Sequence, residues 1–99
     1  MPSHYEPCGL NQMYSLRYGT VPVVRATGGL NDTIDEEVGF KFATYSGSAL
    51  LEAVRAAGAA FADPVRWRGM VRAGMLRDFS WRTSAGAYSG LYRRLLARA

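Results

Sequence analysis

Ninety-nine residues, 48% hydrophobic and 20% charged, are enough for one small domain with a modest core, and this is not the composition of a disordered chain. The net charge of +4 is lopsided: residues 1–50 hold three basic against five acidic side chains, whereas residues 51–99 hold nine arginines against Glu52, Asp63 and Asp78. One cysteine (Cys8) and one histidine (His4) exclude an internal disulfide and a zinc site built from Cys and His alone, and the sequence shows neither a secretory signal nor an apolar run of membrane-spanning length. The expectation is a cytoplasmic protein without metal or cofactor.

Residues 2–9 (Pro2-Ser3-His4-Tyr5-Glu6-Pro7-Cys8-Gly9) read as a loop, since two prolines lack amide donors and Gly9 permits a tight turn. The spacing of Leu10, Met13, Tyr14 and Arg17 predicts a helix from Leu10 to Tyr18, stopped by Gly19. Val21 to Val24 is continuously apolar, as in a strand covered on both faces, with Pro22 near its start. Thr27-Gly28-Gly29 reads as a turn, with Asn31 or Asp32 capping a short helical turn through Ile34, and Gly39 to Phe42 as a second strand.

Three helices follow. The first spans about Ser48 to Ala62, with Leu50, Leu51, Val54 and Phe61 near one face. The second opens at Asp63-Pro64, an aspartate cap before a proline at the first helical position, and offers Val65, Trp67, Met70, Val71 and Met75. The third opens at Ser80, and Trp81, Tyr88 and Tyr92 recur at helical spacing, which places them and Trp67 in a core. Helix, strand, glycine turn and strand in succession predict an α/β fold with a parallel sheet. The whole reads as a single domain: residues 1–45 bear the motifs and residues 46–99 form a helical part. With two or three strands at most, and none to deliver the opening loop, the expectation is a partial sheet that continues upstream.

The chemistry concentrates at Glu6-Pro7-Cys8-Gly9-Leu10-Asn11-Gln12. A glycine-bearing loop that runs into a helix leaves that helix's first amides without internal partners, at the positive end of its dipole. Such a terminus suits phosphate, and Gly9 lets a ligand come close to the backbone. The side chains of Asn11 and Gln12 add donors. Glu6 would repel phosphate but accepts hydrogen bonds from sugar hydroxyls, or stabilises a cation developing beside the phosphate. From pattern alone, an ordinary loop-to-helix junction with an exposed Glu6 remains the alternative. Thr27-Gly28-Gly29 reads equally as a ligand cradle or a tight turn. Cys8 has no sequence-evident base and reads as a small packing residue, not a nucleophile.

The string from Pro2 through Glu6-Pro7-Cys8-Gly9-Leu10 to Thr20-Val21-Pro22 resembles the C-terminal signature of bacterial glycogen synthases and plant starch synthases. So does the continuation Arg25-Ala26-Thr27-Gly28-Gly29-Leu30-Asn31-Asp32-Thr33-Ile34, and so does Asp78-Phe79-Ser80-Trp81. The resemblance covers essentially the whole chain. It implies part of the Rossmann-like C-terminal domain of a GT-B glycosyltransferase. The implied reaction moves glucose from ADP-glucose, or UDP-glucose, to the 4-hydroxyl of an α-1,4-glucan with retention. The resemblance implies Glu6 as the catalytic carboxylate by the donor glucose. It implies Cys8, Gly9, Leu10, Asn11, Gln12, Thr27 and Gly28 as substrate-binding. His4 departs from the arginine more usual at its position. Related enzymes carry a second glutamate eight places on, where this chain has Tyr14, so no ribose contact is assigned there. An acceptor-binding N-terminal domain is implied as the missing partner, and the isolated chain is expected to be inactive and to self-associate. The alternative is a stand-alone nucleotide- or sugar-phosphate-binding module. A nucleic-acid partner is disfavoured, because the arginines spread over several helices instead of forming one basic block.

Overall fold

The computed structural model describes residues 1–98 and arranges them as a two-stranded parallel sheet with five helices. Strand β1 (Val23–Arg25) pairs with β2 (Phe40–Phe42), Val24 facing Lys41. Helix α1 (Asn11–Arg17) precedes β1, and α2 (Gly28–Thr33) makes the crossover between the strands. Helices α3 (Gly47–Phe61), α4 (Pro64–Met75) and α5 (Trp81–Ala97) follow. The other edge of β1 is also engaged: the Met1 amine donates to Val23 O at 2.7 Å and the Arg25 amide donates to Met1 O at 3.0 Å. Met1 thus occupies one position of a parallel ladder beside Val24.

The parallel pairing and the α/β order match the sequence reading, with shifted boundaries. The first strand runs to Arg25 instead of Val24, because the Arg25 amide has the Met1 carbonyl to bond, while Pro22 offers only its carbonyl, to the Phe40 amide at 3.0 Å. Helix α2 begins three residues before Asn31. Thr27, extended at φ −147, starts it, and the Thr27 carbonyl accepts from Leu30 and Asn31; Asn31 and Asp32 therefore lie inside the helix. The starts at Asp63 and Ser80 are as read, while α3 begins at Gly47, ahead of the expected Ser48, because Ser46 caps it. Ser46 Oγ accepts from the Ala49 amide, Asp63 Oδ1 from Arg66 with Pro64 behind it, and Ser80 Oγ from Thr83.

The core is Leu16, Val24, Leu30, Ile34 and Val38, with Met1 and Ala73 packed against it. Two helix faces are rotated from expectation. In α1 the buried residues are Gln12 and Leu16, four apart, not the Leu10–Met13–Tyr14–Arg17 set. In α3 the inward residues are Ala53 and Ala60, flanked by half-buried Leu50 and Ala57, while Leu51, Val54 and Phe61 face outward. Small residues on that face let α3 lie close to the sheet and to α4.

Helix α5 has no buried residue. Trp81 is 88% exposed, and Tyr88 and Tyr92 are exposed too, so the expected aromatic core is not there; only Trp67 is half-buried, edge-on to Phe61 at 5.1 Å. The radius of gyration, 16.0 Å, exceeds the roughly 13 Å of a rounded chain this long, because α5 projects from the rest. A projecting helix with Leu91, Tyr92, Leu95 and Leu96 exposed predicts concentration-dependent self-association. Sedimentation velocity should show mass rising with loading, and a single monomer peak at all concentrations would refute it.

The α4–α5 junction is fastened by charge. Arg77 Nη2 lies 2.9 Å from Asp35 Oδ2 and 3.2 Å from Glu37 Oε2. Partial burial pushes the Asp35 carboxyl up, but the Arg77 hydrogen bond and charge and the Glu37 amide outweigh it, leaving a net lowering. Asp78 accepts from the Ser80 amide at 2.9 Å and from the Thr83 hydroxyl at 2.7 Å, and the Ser80 and Thr83 hydrogen bonds lower its pKa from 3.8 to about 2. A depressed carboxylate contributes order above its unfolded pKa and loses it as pH falls through the folded one. The first turn of α5 should therefore fray between about pH 4 and pH 2, seen as loss of Thr83 and Ser84 amide protection, and Asp78→Asn should remove that pH dependence.

Candidate functional site

The loop before α1 is held at several points. Arg25, at the end of β1, reaches across it: Nη1 donates to His4 O at 2.6 Å and Nε donates to Ala43 O at 3.1 Å. The guanidinium lies 5.4 Å from the Tyr45 ring centroid, and His4 meets the same ring edge-on at 4.9 Å. These contacts bind the loop to the segment after β2, at the carboxyl ends of both strands, where open parallel sheets place ligands.

Two residues further, the backbone of Glu6 and Pro7 rests directly on the start of α2. The Gly29 amide donates to Glu6 O at 2.8 Å. Gly28 has φ +48, and a Cβ there would run into the Glu6 carbonyl oxygen. A Cβ on Gly29 would lie 2.9 Å from Pro7 O and 3.1 Å from Cys8 Cα. Both glycines are thus demanded by close backbone approach. Between the two readings of Thr27-Gly28-Gly29, the geometry shows a seat for the Glu6–Cys8 loop.

The Glu6 side chain folds forward over Gly9, and a Cβ on Gly9 would come within 2.8 Å of Glu6 Oε1. The carboxylate therefore lies at the amino end of α1, not turned away from it. The α1 terminus carries no side-chain cap, and the Tyr14 amide to Leu10 O, at 3.1 Å, is the bond that opens the helix. Leu10 and Asn11 are exposed there, Glu6, Gly9 and Thr27 are half-buried, and Cys8 is exposed instead of packed. Among the described residues no group of three His, Cys, Asp or Glu side chains gathers to hold a metal. No helix among them is long and apolar enough to cross a membrane.

Gln12 differs from its sequence reading. Its side chain is fully buried, and Nε2 donates to Gly9 O and, at 3.1 Å, to Thr33 Oγ1. Its donors are spent inside the protein. Thr33 Oγ1 in turn donates to Gly29 O at 2.7 Å. This network escaped the sequence reading; the signal was available in the four-residue spacing of Gln12 and Leu16, which puts a polar amide on the inward face of α1.

Two grooves lie elsewhere. One, of about 370 Å³, sits between Pro2, Phe42, Tyr45 and the start of α3. The other, of about 700 Å³, lies between α1 and the α4–α5 junction, lined by Leu10, Tyr14, Arg77, Phe79 and Trp81 among others. Neither is lined by Glu6, Cys8 or Gly9.

No family model matches the chain. Individual relatives do. The chain is 55% identical to a glycogen synthase of Koribacter versatilis, over 95% of its own length and 21% of the relative's. It is 57% identical to one from an Anaeromyxobacter species, over 98% and 22% respectively. It is homologous to a segment of the bacterial glycogen synthases. That segment spans about one fifth of the length of these relatives. Among solved structures, the catalytic domain of starch synthase IV from Arabidopsis thaliana, bound to ADP and acarbose, superposes with a TM-score of 0.81. It is 39% identical, and the match covers 94% of this chain and 21% of that one. Sucrose-phosphate synthase from Thermosynechococcus elongatus gives 0.71 at 34% identity, covering 99% and 25%. Both neighbours are GT-B glycosyltransferases, so glycosyltransferase kinship and the partial GT-B fold stand, with 58% of the residues helical.

Proposed function

We propose that this chain supplies the donor side of a glucosyltransferase site that takes glucose from ADP-glucose to the 4-hydroxyl of an α-1,4-glucan, with retention at the anomeric carbon. The observation that carries the reading is the Glu6 carboxylate folded over Gly9 at the uncapped amino end of α1. Amides at that end suit the diphosphate, and the carboxylate beside them suits the hexose hydroxyls and the positive charge that grows at the anomeric carbon. Cys8, Gly9, Leu10 and Asn11 border the donor, Leu10 and Asn11 through their backbone amides. Thr27 and Gly28 border the donor on the other side, and Gly28 also seats the loop. The ADP bound to the starch synthase neighbour favours ADP-glucose over UDP-glucose as donor. Transfer needs groups closed around the donor from several sides. The chain matches one fifth of its relatives, so by itself it is expected to bind without turning over. A cytoplasmic setting accords with the nature of the donor.

Titration calorimetry of the 99-residue chain with ADP and with ADP-glucose tests this. Both should bind, ADP-glucose the tighter, and Glu6→Ala should abolish the difference while leaving ADP affinity within about threefold. ADP binding that gains nothing from glucose, or that improves on removing Glu6, would instead mark a nucleotide-binding module without transfer.

A further inference from the structure

The hydrogen bonds around the loop close on themselves. Glu6 O accepts from the Gly29 amide, Gly29 O accepts from Thr33 Oγ1, Thr33 Oγ1 accepts from Gln12 Nε2, and the same Nε2 donates to Gly9 O. Both ends of the Glu6–Gly9 turn are therefore clamped, one by α2 and the other by α1. The direction of every donor is fixed. Gly9 O and Gly29 O only accept, so the threonine proton is committed to Gly29 and its oxygen must receive from Gln12. A buried amide is the side chain that fits, and fitting it leaves Gln12 Oε1 buried without a partner among the described residues. An orphaned acceptor in a core is unfavourable. An apolar side chain of the same length would avoid that loss but would give up both bonds that tie the Gly9 carbonyl and Thr33 to α1, so the amide is kept for what its donors hold in place.

We infer that Gln12, acting with Thr33, is a positioning residue: it fixes the Gly9 carbonyl, and through Gly9 it holds the Glu6 carboxylate where the hexose is recognised. The inference rests on the donor-site reading above for its ligand arm, and on the hydrogen-bond geometry alone for its structural arm. Gln12→Met keeps the volume, removes the donors and removes the orphaned oxygen. Thermal stability should change little, since removing the orphaned oxygen offsets the two lost hydrogen bonds, and the loop should come free. A residue that merely supports the fold would lose stability and affinity together.

The test is hydrogen exchange and calorimetry on the 99-residue chain, with Gln12→Met and Thr33→Val. In Gln12→Met, protection of the Gly29 amide, which reports the Glu6 end of the clamp, should fall at least tenfold relative to the Ile34 amide, which bonds Leu30 O within α2. The advantage of ADP-glucose over ADP should shrink to about one while ADP affinity persists. Thr33→Val cuts the circuit at its middle and should show the same pattern in weaker form; it carries the test if Gln12→Met does not fold. Unchanged Gly29 protection relative to Ile34 overturns the inference whatever the ligand data show. Loss of Gly29 protection with the ADP-glucose advantage retained also overturns it. A wild-type chain that does not prefer ADP-glucose defeats the donor-site reading separately, and with it the claim on the hexose.

Discussion

Exchanged for the matching stretch of the Koribacter versatilis glycogen synthase, this chain is expected to sustain glucosyl transfer, and Glu6→Ala in that hybrid is expected to lower kcat by about 10²- to 10³-fold, the usual consequence of removing one preorganised group from a developing charge. Glu6→Gln separates the two tasks proposed for the carboxylate. The amide oxygen still accepts from sugar hydroxyls, so KM for ADP-glucose should change little. The negative charge is gone, so kcat should fall nearly as far as in Glu6→Ala. Glu6→Ala should lose both, so kcat/KM falls further than kcat. Steady-state kinetics on the three hybrids decides it. Full activity in Glu6→Gln would remove charge stabilisation from the account, and full activity in Glu6→Ala would remove Glu6 altogether. The hybrid places the 99 residues beside groups that they do not themselves supply, so a loss is read against a working enzyme.

Why the charge and the loop lie where they do was only partly legible in the sequence. Local signals were read well where local physics decides. Asp63 before Pro64, and Ser80 before Trp81, start their helices because a short side-chain oxygen satisfies an amide that the helix leaves free. Gly19 stops α1 at φ +77, a conformation costly for other residues. The Glu6–Gly9 junction was legible because glycine and proline leave few alternatives. Facing was not legible, because it depends on what lies opposite. Gln12 looks like a surface donor beside Asn11 until Thr33, 21 residues away, is placed next to it. The aromatic spacing of α5 says that one face is apolar without saying that anything covers it. The Thr27-Gly28-Gly29 turn showed its need for glycine but not the reason, since the atoms that would collide belong to Glu6, Pro7 and Cys8.

The largest expected effect on stability is at Leu30. It is fully buried in a core of five residues, and it follows directly on Gly29, whose amide holds the Glu6 carbonyl. Leu30→Ala removes three methyl or methylene equivalents from a site that sheet and helices enclose, which costs about 2–5 kcal/mol including the cavity left behind. Small domains have little to spare, with whole stabilities of about 5–15 kcal/mol and the lower part of that range common at this length. Urea unfolding followed by circular dichroism should show the midpoint of Leu30→Ala collapsing toward zero denaturant. Leu96→Ala, at a position 74% exposed, should stay within about 0.5 kcal/mol of the parent. Equal losses at the two positions would mean that α5 is covered in solution and that the core is larger than these five residues. Because Leu30 anchors the helix on which the Glu6 loop sits, its loss should also erase ADP-glucose binding at denaturant concentrations where the parent chain still binds, as expected if the proposed donor site depends on the core around Leu30.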